Sequence, residues 1–255
     1  MRNLCTGTLA ALSLSLCGIS SAHAYIPPSS YQLSQLVKKH RGLKSLRVKT
    51  RITGTKTQIR EIGYFNFGTK TWKARFLDAS DKEIYAFERK LGANDSLASL
   101  LLFDANTTGL MNALKNAGIP VVSDSELAAL PGPVERQAAE KGTIGRLDKK
   151  VGWITGNSTQ ALWVLKDEFV PLKLLNGGME IRFEETKSVS AFPYPRSISL
   201  QRGSEFILKG EAMEVMANVD LSDMNAIQVH GLPAIPSSLS SEERALIEQW
   251  VQWIR

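Results

Sequence analysis

"VGWITGNSTQALWVLKDEFVPLKLLNGGMEIRFEE", residues 151–185, is the stretch on which the fold turns. Apolar, β-branched and aromatic residues come in short runs parted by turn chemistry at Gly156-Asn157-Ser158, Lys166-Asp167-Glu168 and Asn176-Gly177. Runs of this kind between turn residues read as strands. Connections this short force antiparallel neighbours, because a parallel crossover needs about a dozen residues or more. Asn176-Gly177 is a hairpin signal, since tight turns use left-handed conformations that Asn and Gly tolerate. Met179, Ile181 and Phe183 alternate with Glu180, Arg182 and Glu184, so that strand has one wet face. Residues 162–165 are apolar throughout and require cover on both faces.

Strand chemistry extends in both directions from this core. Downstream, 196–201, 205–208 and 212–219 read as further strands, and Ile227 and Val229 form an alternating strand that ends at His230. Upstream, Ile144 opens this half of the chain, and 43–53, 57–67, 71–77 and 82–90 form an earlier meander with turns at Gly54-Thr55-Lys56, Gly68-Thr69-Lys70 and Asp78-Ala79-Ser80-Asp81. Between the halves, residues 94–142 change period. Leu97, Leu100 and Leu101 suit one helix and Leu110, Met111 and Leu114 another; Ser123 with Glu126 forms a capping box, and Pro133 and Gly142 bracket a further segment. A short helix over 30–41 precedes the first meander, with Gly42 as its stop. Residues 232–255 read as a linker bearing Pro233 and Pro236, then a helix capped by Ser240 and Glu243, with Leu246, Ile247, Trp250, Val251 and Ile254 on one face. That face docks on the sheet or, alternatively, lies on a membrane surface; three Glu residues on the polar side favour docking.

Residues 1–24 predict a cleaved secretory signal: Arg2, an apolar run from Leu4 to Ile19, and the ending Ala22-His23-Ala24 with an A-x-A site. The apolar run is shorter than the ~20 residues that span a bilayer. The mature chain is expected to start at Tyr25 and to form one domain over 25–255, soluble in the periplasm of a Gram-negative cell. Lipid attachment at Cys17 is the alternative, although Leu14-Ser15-Leu16 puts a bulky Leu where that signal takes Gly, Ala or Ser. Both cysteines, Cys5 and Cys17, lie in the leader, so the mature protein has no disulfide, thiolate nucleophile or Cys-ligated metal. The 255 residues carry a formal charge of +6. Residues 43–91 hold twelve Lys/Arg against five Asp/Glu, which reads as a solvated strand face or, alternatively, as a patch for an anionic partner. With neither an aromatic-basic motif nor a helix-turn-helix, no nucleic-acid role is expected.

Catalytic parts are few, and no enzyme, metal or cofactor is expected. Only His40 and His230 lie outside the leader, far apart and without H-E-x-x-H spacing. His40 sits at a helix C-terminus, where a cation suits the dipole. Gly156-Asn157-Ser158 lacks the G-x-S-x-G elbow. The carboxylate pairs Glu184-Glu185, Glu242-Glu243 and Asp220/Asp223 either point to opposite faces of a strand or already serve as caps.

Two stretches carry a family resemblance. Gly63-Tyr64-Phe65-Asn66-Phe67, a turn, then Trp72-Lys73-Ala74-Arg75 resembles the second and third strands of the LolA/LolB-like periplasmic lipoprotein and lipid carriers. Residues 162–173, an apolar strand, a charged turn and Val170-Pro171-Leu172, resemble that family's later hairpin. The resemblance implies an α+β fold: an incomplete antiparallel β-barrel of about eleven strands with a helical lid insert, an N-terminal helix and a C-terminal helix. It also implies a monomeric, non-catalytic carrier that binds the acyl chain of a lipoprotein or lipid in an apolar hollow, between donor and acceptor proteins at the inner and outer membranes. The candidates for that hollow are Phe65, Phe67, Trp72, Phe76, Trp163, Leu165, Ile181 and Phe183. Family members carry an Arg-Pro in the turn after the Gly-led strand, the Arg helping to hold the lid; here the turn is Gly68-Thr69-Lys70, with Lys70 as the available donor. The alternative on the same fold is an RseB-like protein-interaction or sensing module.

Overall fold

Short connections decide the architecture, and the long ones decide where its two edges go. The computed structural model describes residues 26–92, 95–139, 142–229 and 235–255. The leader, Cys5, Cys17, Tyr25, His230 and Pro233 lie outside the described residues. Helix α1 (Ser29–Lys38) leads into β1 (Ser45–Thr53), β2 (Gln58–Asn66), β3 (Thr71–Leu77) and β4 (Glu83–Lys90). Four helices follow: α2 (Leu97–Phe103), α3 (Thr107–Asn116), α4 (Asp124–Ala129) and α5 (Pro133–Ala139). The second meander is β5 (Thr143–Leu147), β6 (Lys150–Gly156), β7 (Ala161–Leu165), β8 (Pro171–Asn176) and β9 (Met179–Glu184). A small ribbon, β10 (Lys187–Val189) and β11 (Phe192–Tyr194), precedes β12 (Ser197–Arg202) and β13 (Glu205–Ala217), and α6 (Ser222–Ala226) and α7 (Ser241–Trp253) complete the chain.

Eleven strands form one antiparallel sheet in the order β4-β3-β2-β1-β13-β12-β9-β8-β7-β6-β5, so the sheet is not closed into a barrel. The pairing of β1 with β13 joins the two meanders at the middle, Leu46 opposite Ala217 and Ile52 opposite Gly210. The free edges are therefore β4 and β5, and the helical insert is the chain that runs from one to the other. Among the described residues the helices lie at both ends of the chain and across the insert, where the sequence predicts them, with α6 as an addition.

Register assigns each residue to a face, because side chains alternate along a strand and paired residues share a side. On the covered face stand Leu46, Val48 and Ile52 of β1, Ile59, Glu61, Gly63 and Phe65 of β2, Trp72, Ala74 and Phe76 of β3, and Tyr85 and Phe87 of β4. Leu208 and Gly210 of β13, Ile198 and Leu200 of β12, Ile181 and Phe183 of β9, and Leu162 and Leu174 of β7 and β8 continue it. These residues and the buried sides of α1, α2, α3 and α7 form one apolar core.

Four expectations from the sequence need correction. Residues 205–217 are one strand of 13 residues rather than two. Gly210 reads as a break, yet it serves close packing: a Cβ there would stand 2.2 Å from Cη2 of Trp250. The β10–β11 ribbon is absent from the sequence reading, because its strands have three residues each and its turn uses Ser190 and Ala191 at positive φ instead of Gly. Residues 222–229 are not a strand. Helix α6 and Ile227 pack against Tyr64 in a second small core on the outer side of the sheet. Finally, the β8–β9 hairpin turns on Gly177 and Gly178, both at positive φ, with Asn176 paired to Met179 across the base.

The basic first meander is largely answered by local carboxylates. Arg47 and Lys49 both meet Glu214, while Arg60 meets Asp81, Lys73 meets Glu88 at 3.5 Å and Arg75 meets Glu83 at 3.9 Å. This is the arrangement of a solvated strand face.

The two strand glycines under tryptophans give the first test. At Gly63 a Cβ would stand 2.2 Å from Cζ2 of Trp72, as at Gly210 beneath Trp250. Gly63→Val and Gly210→Val are each expected to lower stability by about 1–3 kcal/mol through overpacking, even though Val favours strands. Urea unfolding measures this, and unchanged midpoints would show that the rings are free to move aside.

Candidate binding site

The concave side of the sheet is where the apolar candidates gather, and alternation sorts them. Phe65, Trp72, Phe76, Ile181 and Phe183 are buried on that side, and Phe67, just past the end of β2, packs against the same core. Trp163 and Leu165 stand on the opposite face. Trp163 is paired with Lys173, whose Nζ lies 4.2 Å above the indole, and Lys173 is paired in turn with Arg182. Leu165 is buried against Gly152 on that outer side and is not part of the main core. The structure thus brings six of the eight candidates together and separates two.

What covers the concave face is the chain itself. All seven residues of α2, Leu-Ala-Ser-Leu-Leu-Leu-Phe, are buried. Ser96 caps the helix and the sequence then offers no polar face, a pattern that suits only burial on every side. Phe103 at its end packs against Phe65 at 4.9 Å, Trp72 at 5.0 Å and Tyr194 of the ribbon at 6.4 Å between centroids. Phe76, Tyr85 and Phe87 form a neighbouring stack, with Phe76 5.9 Å from each of the others. The interior that the resemblance presents as a hollow is filled by α2 and by the end of α7.

Two polar contacts fasten this cover to the sheet. The first is at the end of α2, where Asp104 is buried. Its Oδ1 accepts from Lys70 Nζ at 2.9 Å and from Asn106 N–H at 3.0 Å. Lys70 lies at positive φ in the β2–β3 turn, so the donor in the place of the family's Arg-Pro reaches the helical segment. His40 Nδ1–H donates to the Asp104 carbonyl at 2.8 Å; a carbonyl only accepts, which sets the tautomer.

The second contact lies deeper. Arg255 and Glu61 are both 0% exposed at their side chains. Arg255 Nε donates to Glu61 Oε1 at 2.9 Å and Nη2 to Oε2 at 2.8 Å, a two-pronged pair. The guanidinium carbon lies 4.4 Å from the ring centre of Trp72, 4.9 Å from Trp250 and 5.9 Å from Phe103. Nη2 also reaches Tyr194 Oη at 3.4 Å, while Nη1 has no hydrogen-bond partner among the described residues. Burial opposes the charge on Arg255, but the adjacent Glu61 outweighs it and holds the pKa above the ordinary arginine value. Burial raises the Tyr194 phenol, with Arg255 pulling the other way.

The backbone near Arg255 is tied to α2 and β4. Ser96 Oγ donates to the Trp253 carbonyl at 2.5 Å, Ser99 Oγ lies 3.0 Å from the carbonyls of Ile254 and Arg255, and Arg89 Nη1 donates to the Arg255 carbonyl at 3.0 Å. Helices α2 and α7 therefore form one unit on the concave face. A cleft of about 180 Å³, lined by Leu97, Leu174, Ile181 and Trp253, opens where this unit meets β8 and β9. A larger one of about 620 Å³ lies on the outer side among Arg51, Lys187, Arg196, Lys209 and Glu211.

The sequence misses Glu61, Arg255, Phe103, Trp250 and Tyr194 as site residues. For Glu61 a signal exists: in Gln58–Asn66 it shares its parity with Ile59, Gly63 and Phe65, an acid on an apolar face. Among the described residues no group of three or more His, Cys, Asp or Glu is gathered as a metal would need, and no helix is long and apolar enough to cross a membrane.

No protein-family model matches this chain, and no curated protein matches it. Solved structures similar to it include a LolA superfamily protein from Nitrosomonas europaea, with 11% identity over 80% of this chain and 99% of that one and a TM-score of 0.44. A DUF1329 family protein from Desulfovibrio piger has 11% identity, coverage of 78% and 98%, and a TM-score of 0.39. The MucA/MucB complex of Pseudomonas aeruginosa has 10% identity, coverage of 80% and 64%, and a TM-score of 0.32.

Two tests follow from the fastenings. Glu61→Gln or Arg255→Met alone is expected to cost about 3–5 kcal/mol, since each strands a buried polar partner, whereas Glu61→Leu with Arg255→Met recovers most of the loss; urea unfolding of the set decides. Burial lowers the His40 pKa from 6.5, with the Asp104 carbonyl acting in the opposite sense. The unfolded chain therefore binds the extra proton first, so the His40 contribution is fully present above 6.5 and is lost as pH falls towards the lowered value. The fall in stability on this limb is expected to flatten in His40→Gln.

Proposed function

We propose that this is a non-catalytic periplasmic binding protein, a single domain left after cleavage following Ala24. It takes up the acyl chain of a lipid or lipidated protein on its concave face when α2 and α7 withdraw. The observation that carries this reading is α2 itself: a helix buried on all sides and apolar but for Ser99, about 10 Å long at 1.5 Å per residue, packed in the same core as the apolar face of the sheet. It occupies the space a hydrocarbon chain would take. An acyl chain supplies about 0.8 kcal/mol per methylene buried, so ten methylenes offset a large part of the cost of moving the helices. Donor and acceptor proteins at the two membranes fit such a role.

A second reading, a protein-interaction or sensing module, draws on a different observation. Met213 and Met216 of β13 are 57% and 43% exposed beside Arg51 and Arg47 on the outer face, a surface of flexible apolar side chains rimmed by charge. In that reading the interior stays filled while the partner binds outside.

Uptake of a fluorescent fatty acid, followed together with hydrogen exchange, separates the two. Loading is expected to raise exchange in α7 while β1 and β2 keep their protection. Ile181→Ser, on the concave face beside the small cleft, should weaken uptake about tenfold, equivalent to ~1.4 kcal/mol, and Trp163→Ser, on the outer face, should leave it unchanged. Absence of uptake, or equal loss in both variants, would sink the acyl-chain reading.

A further inference from the structure

The box around Arg255 has a division of parts that a simple structural ion pair does not require. Its floor belongs to the sheet: Glu61 on β2, paired with Phe76, and the ring of Trp72 from β3, which lies over Gly63, the next residue of β2 on that face. Its occupant belongs to the cover, since Arg255 follows α7 directly and moves with it. Trp250 and Phe103 come from the cover as well, and Tyr194 from the ribbon. If α2 and α7 withdraw, Glu61 is left as a carboxylate on an apolar, aromatic surface with its cation gone. A hydrocarbon cannot answer that charge, and burying it unpaired is strongly unfavourable.

We propose that the Glu61–Trp72 surface is a subsite for an organic cation, that Arg255 is its built-in occupant, and that the ligand which displaces Arg255 carries a guanidinium or primary ammonium group on an apolar stem. This rests on the acyl-chain reading above and specifies the head group of the ligand. The chemistry of the box selects this class. Glu61 offers two oxygens at 2.8–2.9 Å to two donors of one cation. The Trp72 face, 4.4 Å from the guanidinium carbon, attracts either cation and favours the weakly hydrated guanidinium over the ammonium. The third nitrogen of Arg255 has no partner, so the box asks for two donors rather than a full guanidinium fork. A neutral head group leaves Glu61 unanswered and an anionic one opposes it, so a fatty acid is held through its chain alone and more weakly than an alkyl cation of the same length. A ligand with a cationic head and an alkyl tail replaces both parts of the cover at once, the charge of Arg255 and the apolar bulk of α2.

The subsite can be tested without any lipid. In the full chain carrying Arg255→Ala, methylguanidinium at millimolar concentration is expected to raise the thermal unfolding midpoint, with no comparable rise in wild type or in Glu61→Gln/Arg255→Ala. A rise of equal size in all three, or none in Arg255→Ala, overturns the subsite. Should Arg255→Ala fail to fold, wild type decides: dodecylguanidine and dodecylamine are expected to compete with the fluorescent fatty acid at least about tenfold more strongly than dodecanol. Equal competition by the three overturns the cation subsite and leaves acyl binding standing. Rescue of Arg255→Ala by methylguanidinium, together with failure of wild type to take up the fatty acid or any of the three dodecyl compounds, overturns the acyl reading and upholds the subsite.

Discussion

An eleven-stranded antiparallel sheet with two free edges carries a continuous apolar face that must be covered, and the rest of this structure answers that constraint. The edges exist because β1 and β13 pair in the middle of the sheet, which consigns β4 and β5 to its ends. The chain between those edge strands is the helical insert, so the cover is a consequence of connectivity and not a separate domain brought in from elsewhere. The insert must be apolar where it faces the curl. Helix α2 is apolar all round because it has neighbours all round: Phe65 and Trp72 at its Phe103 end and β8 alongside. Helix α7 completes the cover from the other end of the chain, and two glycines in the sheet make room for the two tryptophans beside Arg255.

Much of this was legible in the sequence, for reasons that differ by element. The strands of both meanders show themselves by alternation and by turn residues, and the caps of α4 and α7 by Ser-x-x-Glu boxes that the structure forms in full. Local chemistry writes these features. The β10–β11 ribbon escapes because its turn takes positive φ at Ser190 and Ala191, which only tertiary packing of Phe192 and Tyr194 can hold in place. Residues 205–217 look broken at Gly210 for the same reason: the glycine answers a ring 2.2 Å from where its Cβ would be, and that ring belongs to a residue 40 positions away.

The grouping of the candidate residues on one face was legible in outline. Six of the eight candidates are on one face because large apolar residues in adjacent antiparallel strands fall into register there. Trp163 and Leu165 are on the other because residues 162–165 are apolar at both parities, and periodicity cannot choose a face when both are greasy. The polar fastenings were harder. Lys70 stands out only against the family's pattern, and its partner Asp104 lies on the far side of two strands and a helix. Arg255 has no local signal at all. Its role exists only once α7 lays it across β2.

Stability alone does not account for the ion pair at the centre of the box, because a buried pair is often no better than two well-packed apolar residues and can be worse. Leucine at position 61 and methionine at 255 would suit the same aromatic walls. What an apolar pair would not do is define a position. With Arg255 gripping Glu61 through two bonds, α7 has one register on the sheet, and the Ser96 and Ser99 hydroxyls extend that register to α2. The cover is thereby held as a unit by a few directional contacts over a broad non-directional apolar interface. Breaking the pair costs much, whereas losing any single apolar contact costs little, so the pair fixes where the cover sits on the sheet.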